Sequence, residues 1–517
     1  MRAHRPFMLP LAIGALLVLP GAAFGYSVML HDRLPDVLER DPALGTEVTA
    51  ALPDEASLER FRRQLYELLK STENPELRAR FLQRYPDVTA FSAAAFKELL
   101  GSAAIMPTLS FDSYAAVAES AAQSGELPSH YRSILPGQER TLLEWVRIGS
   151  SYPDLDRRNQ NRWWVVAGEF PQTADGERIP FDPMILNMGR VEGLSGQAHA
   201  HYGLNNRPKS ADPAVLKSAP ADFAMATGFG DEVITFAPER AQAYGDLAVL
   251  AQHLGEPALA ALYAGNGFHY LGDLGNQIHT IQVGIYRFFV DATLQVWKMK
   301  VVCLWGLRCE PPGLKDIGLD IISNHHLWLE EYFRIALEAA VAEQPLHPTL
   351  ASAADVFAAD ERSRQEWSGL PADGPLMLEL AHRLIAYGNE EGPELYSLAR
   401  ALTRSEMRKA GVSIRFGQQP DSVTLAYLKP KVDQDTLSAF LDLQKTGVRR
   451  AATAMEIWWR AMLAPAATPD WRAAADRLLQ LQLDELDAAE ARRARWIEQR
   501  GGLMVPVPTP AVELTSG

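Results

Sequence analysis

The run F-H-Y-L-G-D-L-G-N-Q-I-H-T from Phe268 to Thr280 sets His269, Asp273 and His279 at the spacing H-x3-D-x5-H. Imidazole nitrogen combined with carboxylate oxygen is a donor set that suits zinc. On one continuous helix, at about 100° per residue, Asp273 lies about 40° from His269 and His279 about 80° to the other side. All three side chains then share one side of the helix. A cation held by His269 and Asp273 would neighbour a second held by His279. The competing reading is a helix whose histidines are hydrogen-bonded inside a core, because short patterns of this kind recur by chance.

Further donors lie along the chain. In S-N-H-H-L-W-L-E-E, His326 and Glu330 are four apart and so share a helix face. With His279 they would form a two-histidine, one-carboxylate site with open positions; alone, the pair equally suits a solvated face. Upstream, Gly149 to Asp154 reads G-S-S-Y-P-D, a carboxylate in a proline-braced turn, and His201 lies in A-H-A-H-Y-G-L.

The elements that must position these residues read as mainly helical. Leu58 to Leu69, Glu76 to Arg84 and Ala94 to Leu100 carry apolar residues at helical spacing, broken by Pro86, Pro107, Pro128 and Pro136. From Gly149 to Ser210 the composition turns to Gly, Pro, Asn and aromatic residues, which predicts irregular loops on a helical scaffold. Ala237 to Leu254 and Pro257 to His279 form two Ala/Leu-rich stretches, expected as an antiparallel pair. The apolar segment from Ile281 to Leu307 is interrupted by Arg287, Asp291, Lys298 and Lys300, which makes it a poor membrane span. Helix resumes from His326 to Ala342 and again from Trp471 to Gln499. The expected fold class is all-α, with a helical region over 346–505 and a disordered, proline-containing tail over 506–517.

Bulk properties narrow the function. The chain has 517 residues, 47% apolar and 22% charged, ordinary for a globular protein. Arg2, His4 and Arg5 precede an apolar run from Phe7 to Val18, and Ala23-Phe24-Gly25 supplies small residues before a cleavage point. Residues 1–25 therefore read as a secretory signal peptide, with Tyr26 as the first mature residue and a periplasmic or secreted destination. Without Arg2 and Arg5, 48 basic residues face 64 acidic ones, a mature net charge of −16. That balance disfavours a stable nucleic-acid complex, yet it admits a phosphodiester substrate, because bound metal ions reverse the local field. Cys303 and Cys309 are the only cysteines, and export predicts that they form a disulfide.

Taken together these residues resemble the zinc-dependent phospholipase C and single-strand-specific nuclease superfamily, a helical trizinc phosphodiesterase fold. The resemblance rests on H-x3-D-x5-H, the later H-x3-E, the upstream Asp and His, and a processed N-terminus followed by a histidine, here Tyr26 and His31. Tyr26 stands where the family has tryptophan, but the backbone ligand atoms are the same. The resemblance covers roughly residues 26–345 and implies three zinc ions. The first would use Asp154, His201, His269 and Asp273; the second His279, His326 and Glu330; the third the Tyr26 amine and carbonyl, His31 and a bridging oxygen of Asp273. Asp156 could replace Asp154, and His199 could replace His201. It implies hydrolysis by water activated between the ions, with Asp154 also orienting or deprotonating that water.

H-Y-L-G-D-L-G-N-Q-I-H is closer to the phospholipase branch than to the nuclease branch. The implied product pair is diacylglycerol and a phosphorylated head group. Leu155 and Ala198 fall where the phospholipase branch places choline-contacting aromatics, so no choline preference is expected. The 281–307 segment is a candidate for peripheral contact with a membrane surface, or for packing against the C-terminal helices. Trp163 and Trp164 are candidate base-stacking residues for the nuclease alternative. A third alternative is a non-enzymatic helical interaction protein in which the histidines hold a structural metal.

Overall fold

A computed structural model describes residues 28–92, 95, 137–155, 169–173, 203, 237–280, 294, 297, 301, 314–405, 427–499 and 502–506. The fold is all-α. The helices are α1 (Val28–Arg33), α2 (Glu55–Lys70), α3 (Pro75–Arg84), α4 (Leu142–Leu155), α5 (Ala237–His253), α6 (Pro257–Gly275), α7 (Gln277–Thr280), α8 (Leu314–Val341), α9 (Ala353–Val356), α10 (Glu361–Trp367), α11 (Leu376–Leu402), α12 (Gln434–Met462) and α13 (Trp471–Gln499). Two short antiparallel ladders accompany them: β1 (Thr49–Ala51) with β2 (Glu139–Thr141), and β3 (Glu169–Thr173) with β4 (Gly502–Pro506).

Local sequence explains where the helices begin. Asp54 caps α2 by accepting from the Ser57 amide, and Asn74 caps α3 ahead of Pro75 at the first helical position. Thr141 and Glu144 form a capping box at the start of α4. The Thr141 amide donates to Glu144 Oε2 (2.9 Å) and the Glu144 amide to Thr141 Oγ1 (3.2 Å). Pro257 starts α6 after a turn at Gly255, whose φ of 82° suits glycine.

α6 is the centre of the molecule. Its sequence, P-A-L-A-A-L-Y-A-G-N-G-F-H-Y-L-G-D-L-G, has no charged stripe, and every residue from Ala258 to Gly275 is buried. A helix that is apolar all round must be enclosed by others. Here α4, α5, α11 and α12 pack on it, and α5 runs back along it as its hairpin partner. Two glycines set the crossing with α4. A Cβ on Gly149 would lie 2.2 Å from the Leu262 carbonyl oxygen, and one on Gly265 would lie 2.3 Å from the Val146 carbonyl oxygen. Backbone meets backbone there, so only glycine at both positions permits the approach.

Three expectations change in the structure. The stretch expected as loops from Gly149 begins as helix, because α4 continues through Pro153 to Leu155; of the rest, only 169–173 and 203 are among the described residues. Pro153 lies in the last turn, where its missing N–H leaves the Gly149 carbonyl without its helical donor. The helix containing His269 does not reach His279. It ends at Gly275, Asn276 adopts extended ψ (115°), and α7 restarts at Gln277. The helix holding Glu330 begins at Leu314, a dozen residues before His326.

The described residues of the segment expected as a C-terminal helical region are mainly helical, with strand β4 at 502–506 reaching into the expected tail, and the helices share the core with the rest: α11 and α12 pack on α6, and α13 on α5. One continuous hydrophobic cluster runs from Leu30 to Leu486. Among the described residues no helix is long and apolar enough to cross a membrane. The expected leader, the disulfide cysteines, residues 96–100 and 507–517, and Trp163 and Trp164 lie outside the described residues. Within 281–307 only Leu294, Trp297 and Val301 are described, all helical, with Leu294 and Trp297 exposed.

Candidate metal centre

Five of the nine candidate ligands converge. His31 comes from α1, His269 and Asp273 from α6, His279 from α7 and Glu330 from α8, and all five are buried. Asp273 is the hub. Its Oδ2 lies 3.2 Å from His269 Nε2, while its Oδ1 lies 3.4 Å from His31 Nε2 and 3.5 Å from His279 Nδ1. His279 Nε2 in turn meets Glu330 Oε1 at 2.8 Å. His31 and His269 stack with ring centroids 3.9 Å apart.

The sequence explains this convergence locally. Gly272 clears the space for His31: a Cβ there would sit 2.7 Å from Leu34 Cδ1 and 3.0 Å from the His31 ring. The Gly149–Gly265 crossing brings α4 close enough for the Ser150 carbonyl to lie 2.8 Å from His269 Nδ1. A carbonyl only accepts, so Nδ1 carries a proton, and Nε2, facing Asp273, is the nitrogen that could ligate a metal in its deprotonated form. Metal-binding histidines are oriented in this way. α1 is held by the 3-10 helix Leu34–Arg40 that follows it, where Arg147 of α4 pairs with Asp36 (Nε to Oδ1 3.0 Å). Burial raises the Asp36 carboxyl pKa despite that arginine.

The fit to a zinc ion can be tested on distance. Two donors at about 2.0–2.1 Å from a tetrahedral centre lie about 3.3–3.4 Å from each other. The contacts of Asp273 with His269 and His31 have that separation, and the donor atoms of His31, His269 and Asp273 all fall within 4.8 Å of one another. The Asp273 carboxylate turns one oxygen to His269 and the other to His31 and His279. The electrostatics agree. Two carboxylates and three imidazoles are removed from water together, and burial pushes the Glu330 carboxyl up to about 7, opposed by its hydrogen bond to His279. A bound cation would relieve that cost.

The remaining candidates are placed less completely. Asp154 falls in the last turn of α4, four residues beyond Ser150, and His326 lies on α8, four residues before Glu330; both are placed by backbone alone. Tyr26 and His201, with the alternatives Asp156 and His199, lie outside the described residues. Gly203, two positions after His201, is described, and its amide donates to the His279 carbonyl (3.0 Å). Sequence reasoning missed the Ser150 carbonyl, because a backbone acceptor has no side-chain signature. It also missed Gly272, although a glycine beside a ligand-bearing position is a visible hint of close approach.

Comparison of the chain with family models, with curated proteins and with solved structures gives no match in any of the three.

Proposed function

We propose that this protein is an exported zinc phosphodiesterase, most closely a phospholipase C. The observation that carries the reading is the convergence on Asp273 of three histidines, from α1, α6 and α7, with His31, His269 and Asp273 at separations suited to ligands of one metal ion. Zinc bound there would supply a Lewis acid for a phosphoryl oxygen and a water acidic enough to ionise near neutral pH. Asp273 would hold the histidines in register through its two oxygens. The Ser150 carbonyl would keep His269 in the tautomer whose Nε2 is available. Glu330 would orient His279 and balance charge beside it. Asp154 remains the candidate to orient or deprotonate the attacking water, with His201 and the Tyr26 terminus as candidates to complete a set of three ions. Low dielectric strengthens each of these contacts, and no serine or cysteine nucleophile is required.

The phospholipid assignment rests on the H-Y-L-G-D motif and on the mature net charge of −16, which disfavours a nucleic-acid partner. The deciding assay is hydrolysis of phospholipid vesicles against single-stranded DNA, using protein that begins at Tyr26. The expected result is release of diacylglycerol, abolished by chelation and restored by zinc. Cleavage of DNA alone would transfer the protein to the nuclease reading. Zinc binding with no hydrolysis of either substrate would favour a structural metal site.

A further inference from the structure

Arg240, the fourth residue of α5, is only 2% exposed. A guanidinium stays charged at any pH a protein meets, so it cannot escape the cost of burial by losing a proton. Arginines are therefore almost never buried without a carboxylate beside them. The other buried arginines among the described residues obey this rule: Arg62 pairs with Glu59, Arg140 with Glu144 and Arg450 with Glu391. Arg240 is the exception. Its Nε and Nη1 are buried with no hydrogen-bond partner, and no carboxylate among the described residues forms an ion pair with it.

The neighbours of Arg240 do not balance its charge. Its Cζ lies 6.0 Å from the centroid of the Tyr270 ring, and Tyr244, one turn further along α5, stacks on the same ring with centroids 6.0 Å apart. That distance is the outer limit of a cation–π contact, and a ring face does not replace the acceptors that the N–H groups need. The first turn of α5 adds partial positive charge of its own. Glu239 is the acidic residue of that turn, but adjacent helical residues face different directions, and it makes no ion pair with Arg240. The backbone here is pinned against α6, because a Cβ on Gly267 would lie 3.1 Å from the Ala241 carbonyl oxygen.

Tyr270 also borders the metal centre. Its ring stands nearly perpendicular to that of His269 (87°), with centroids 5.2 Å apart. Laid end to end, 5.2 Å and 6.0 Å place the guanidinium carbon within about 11 Å of the His269 ring. We infer that Arg240 is an anion-binding residue whose ligand is a phosphate group held beside the His31, His269 and Asp273 centre. The flat fork of a guanidinium matches two phosphate oxygens, which satisfies a pair of its N–H groups together. The choice of phosphate over carboxylate rests on the zinc phosphodiesterase reading; the need for an anion rests on Arg240 itself.

Thermal melting of the full-length chain tests this, as purified and again after chelation of metal. Wild type, Arg240→Met and Arg240→Lys are compared in potassium phosphate, potassium acetate and potassium chloride of equal ionic strength. Phosphate should raise the melting temperature of wild type in a saturable way, before and after chelation. Arg240→Met should lose that shift. Arg240→Lys keeps the charge but not the fork, so it should bind phosphate about 10–100-fold more weakly.

Equal phosphate shifts in wild type and Arg240→Met would overturn the inference, as would no shift in wild type. If Arg240→Met does not fold, phosphate affinity in Arg240→Lys equal to that of wild type has the same force. Stabilisation by acetate but not by phosphate would overturn the ligand assigned. Zinc uptake, measured on the same protein, separates the two readings. Zinc binding without a phosphate shift that depends on Arg240 would overturn the inference and leave the proposed function standing. A phosphate shift that depends on Arg240, in a chain that takes up no zinc, would overturn the proposed function and leave the anion site.

Discussion

Gly272 shows how a residue with no side chain governs the chemistry of its neighbours. Its hydrogen faces the His31 ring and the tip of Leu34, and no larger group fits without displacing one of them. In Gly272→Val the Leu34 methyl can give way, but the His31 ring is held against His269. Thermal melting should show a loss of about 1–3 kcal/mol, typical of overpacking. Zinc affinity should fall as well. Wild-type affinity in a folded Gly272→Val protein would mean that His31 is not a ligand. At this scale much of the site was legible. His269, Asp273 and His279 stand out by spacing, Glu330 by its offset of four from His326, and His31 by resemblance. The hydrogen bond that orients His269 was not legible, because Ser150 contributes only a carbonyl.

Among the elements, α5, α6 and α13 were readable from composition, and α2 and α3 from periodicity. The break at Asn276 was not readable, since H-x3-D-x5-H fits a continuous helix equally well. The projected 80° between His269 and His279 is therefore replaced by a helix–turn–helix geometry that still brings His279 to Asp273. Between elements, a buried ion pair joins α5 to α13: Arg477 Nη2 donates to Asp246 Oδ1 at 2.8 Å. Burial outweighs the arginine and raises the Asp246 carboxyl to about 6. The folded state thus binds this proton more tightly than the unfolded chain, whose carboxylate ionises near pH 4. The contribution of this group to stability is complete below about pH 4 and declines as pH rises to about 6. The melting temperature of wild type minus that of Asp246→Asn should fall across that window. A difference that rises with pH would mean the pair is stabilised by charge rather than strained by burial.

For the molecule as a whole, the resemblance spans residues 26–345, whereas the core does not stop there. α11 and α12 cover α6, α13 covers α5, and Trp459 Nε1 donates to the Leu44 carbonyl (2.9 Å), joining the C-terminal helices to the first fifty residues. A fragment of residues 26–345 should therefore expose the apolar faces of α5 and α6. It should lose its cooperative melting transition and bind hydrophobic dyes. Cooperative melting of that fragment, with zinc bound, would show that the later helices are dispensable. Sequence alone could not reveal this dependence, because nothing in the composition of 346–505 marks which apolar faces meet α6.

The central claim is that Asp273 is a metal ligand, and the zinc content of Asp273→Asn tests it most directly. This variant keeps the shape of the side chain, removes its charge and turns one acceptor oxygen into an N–H donor. Wild type and variant, matched for helicity, would be dialysed against buffered zinc and their bound metal counted. The account predicts zinc in the wild type and a fall in affinity beyond the 10–100-fold expected for a residue outside the ligand shell. Equal zinc in the two proteins would contradict it.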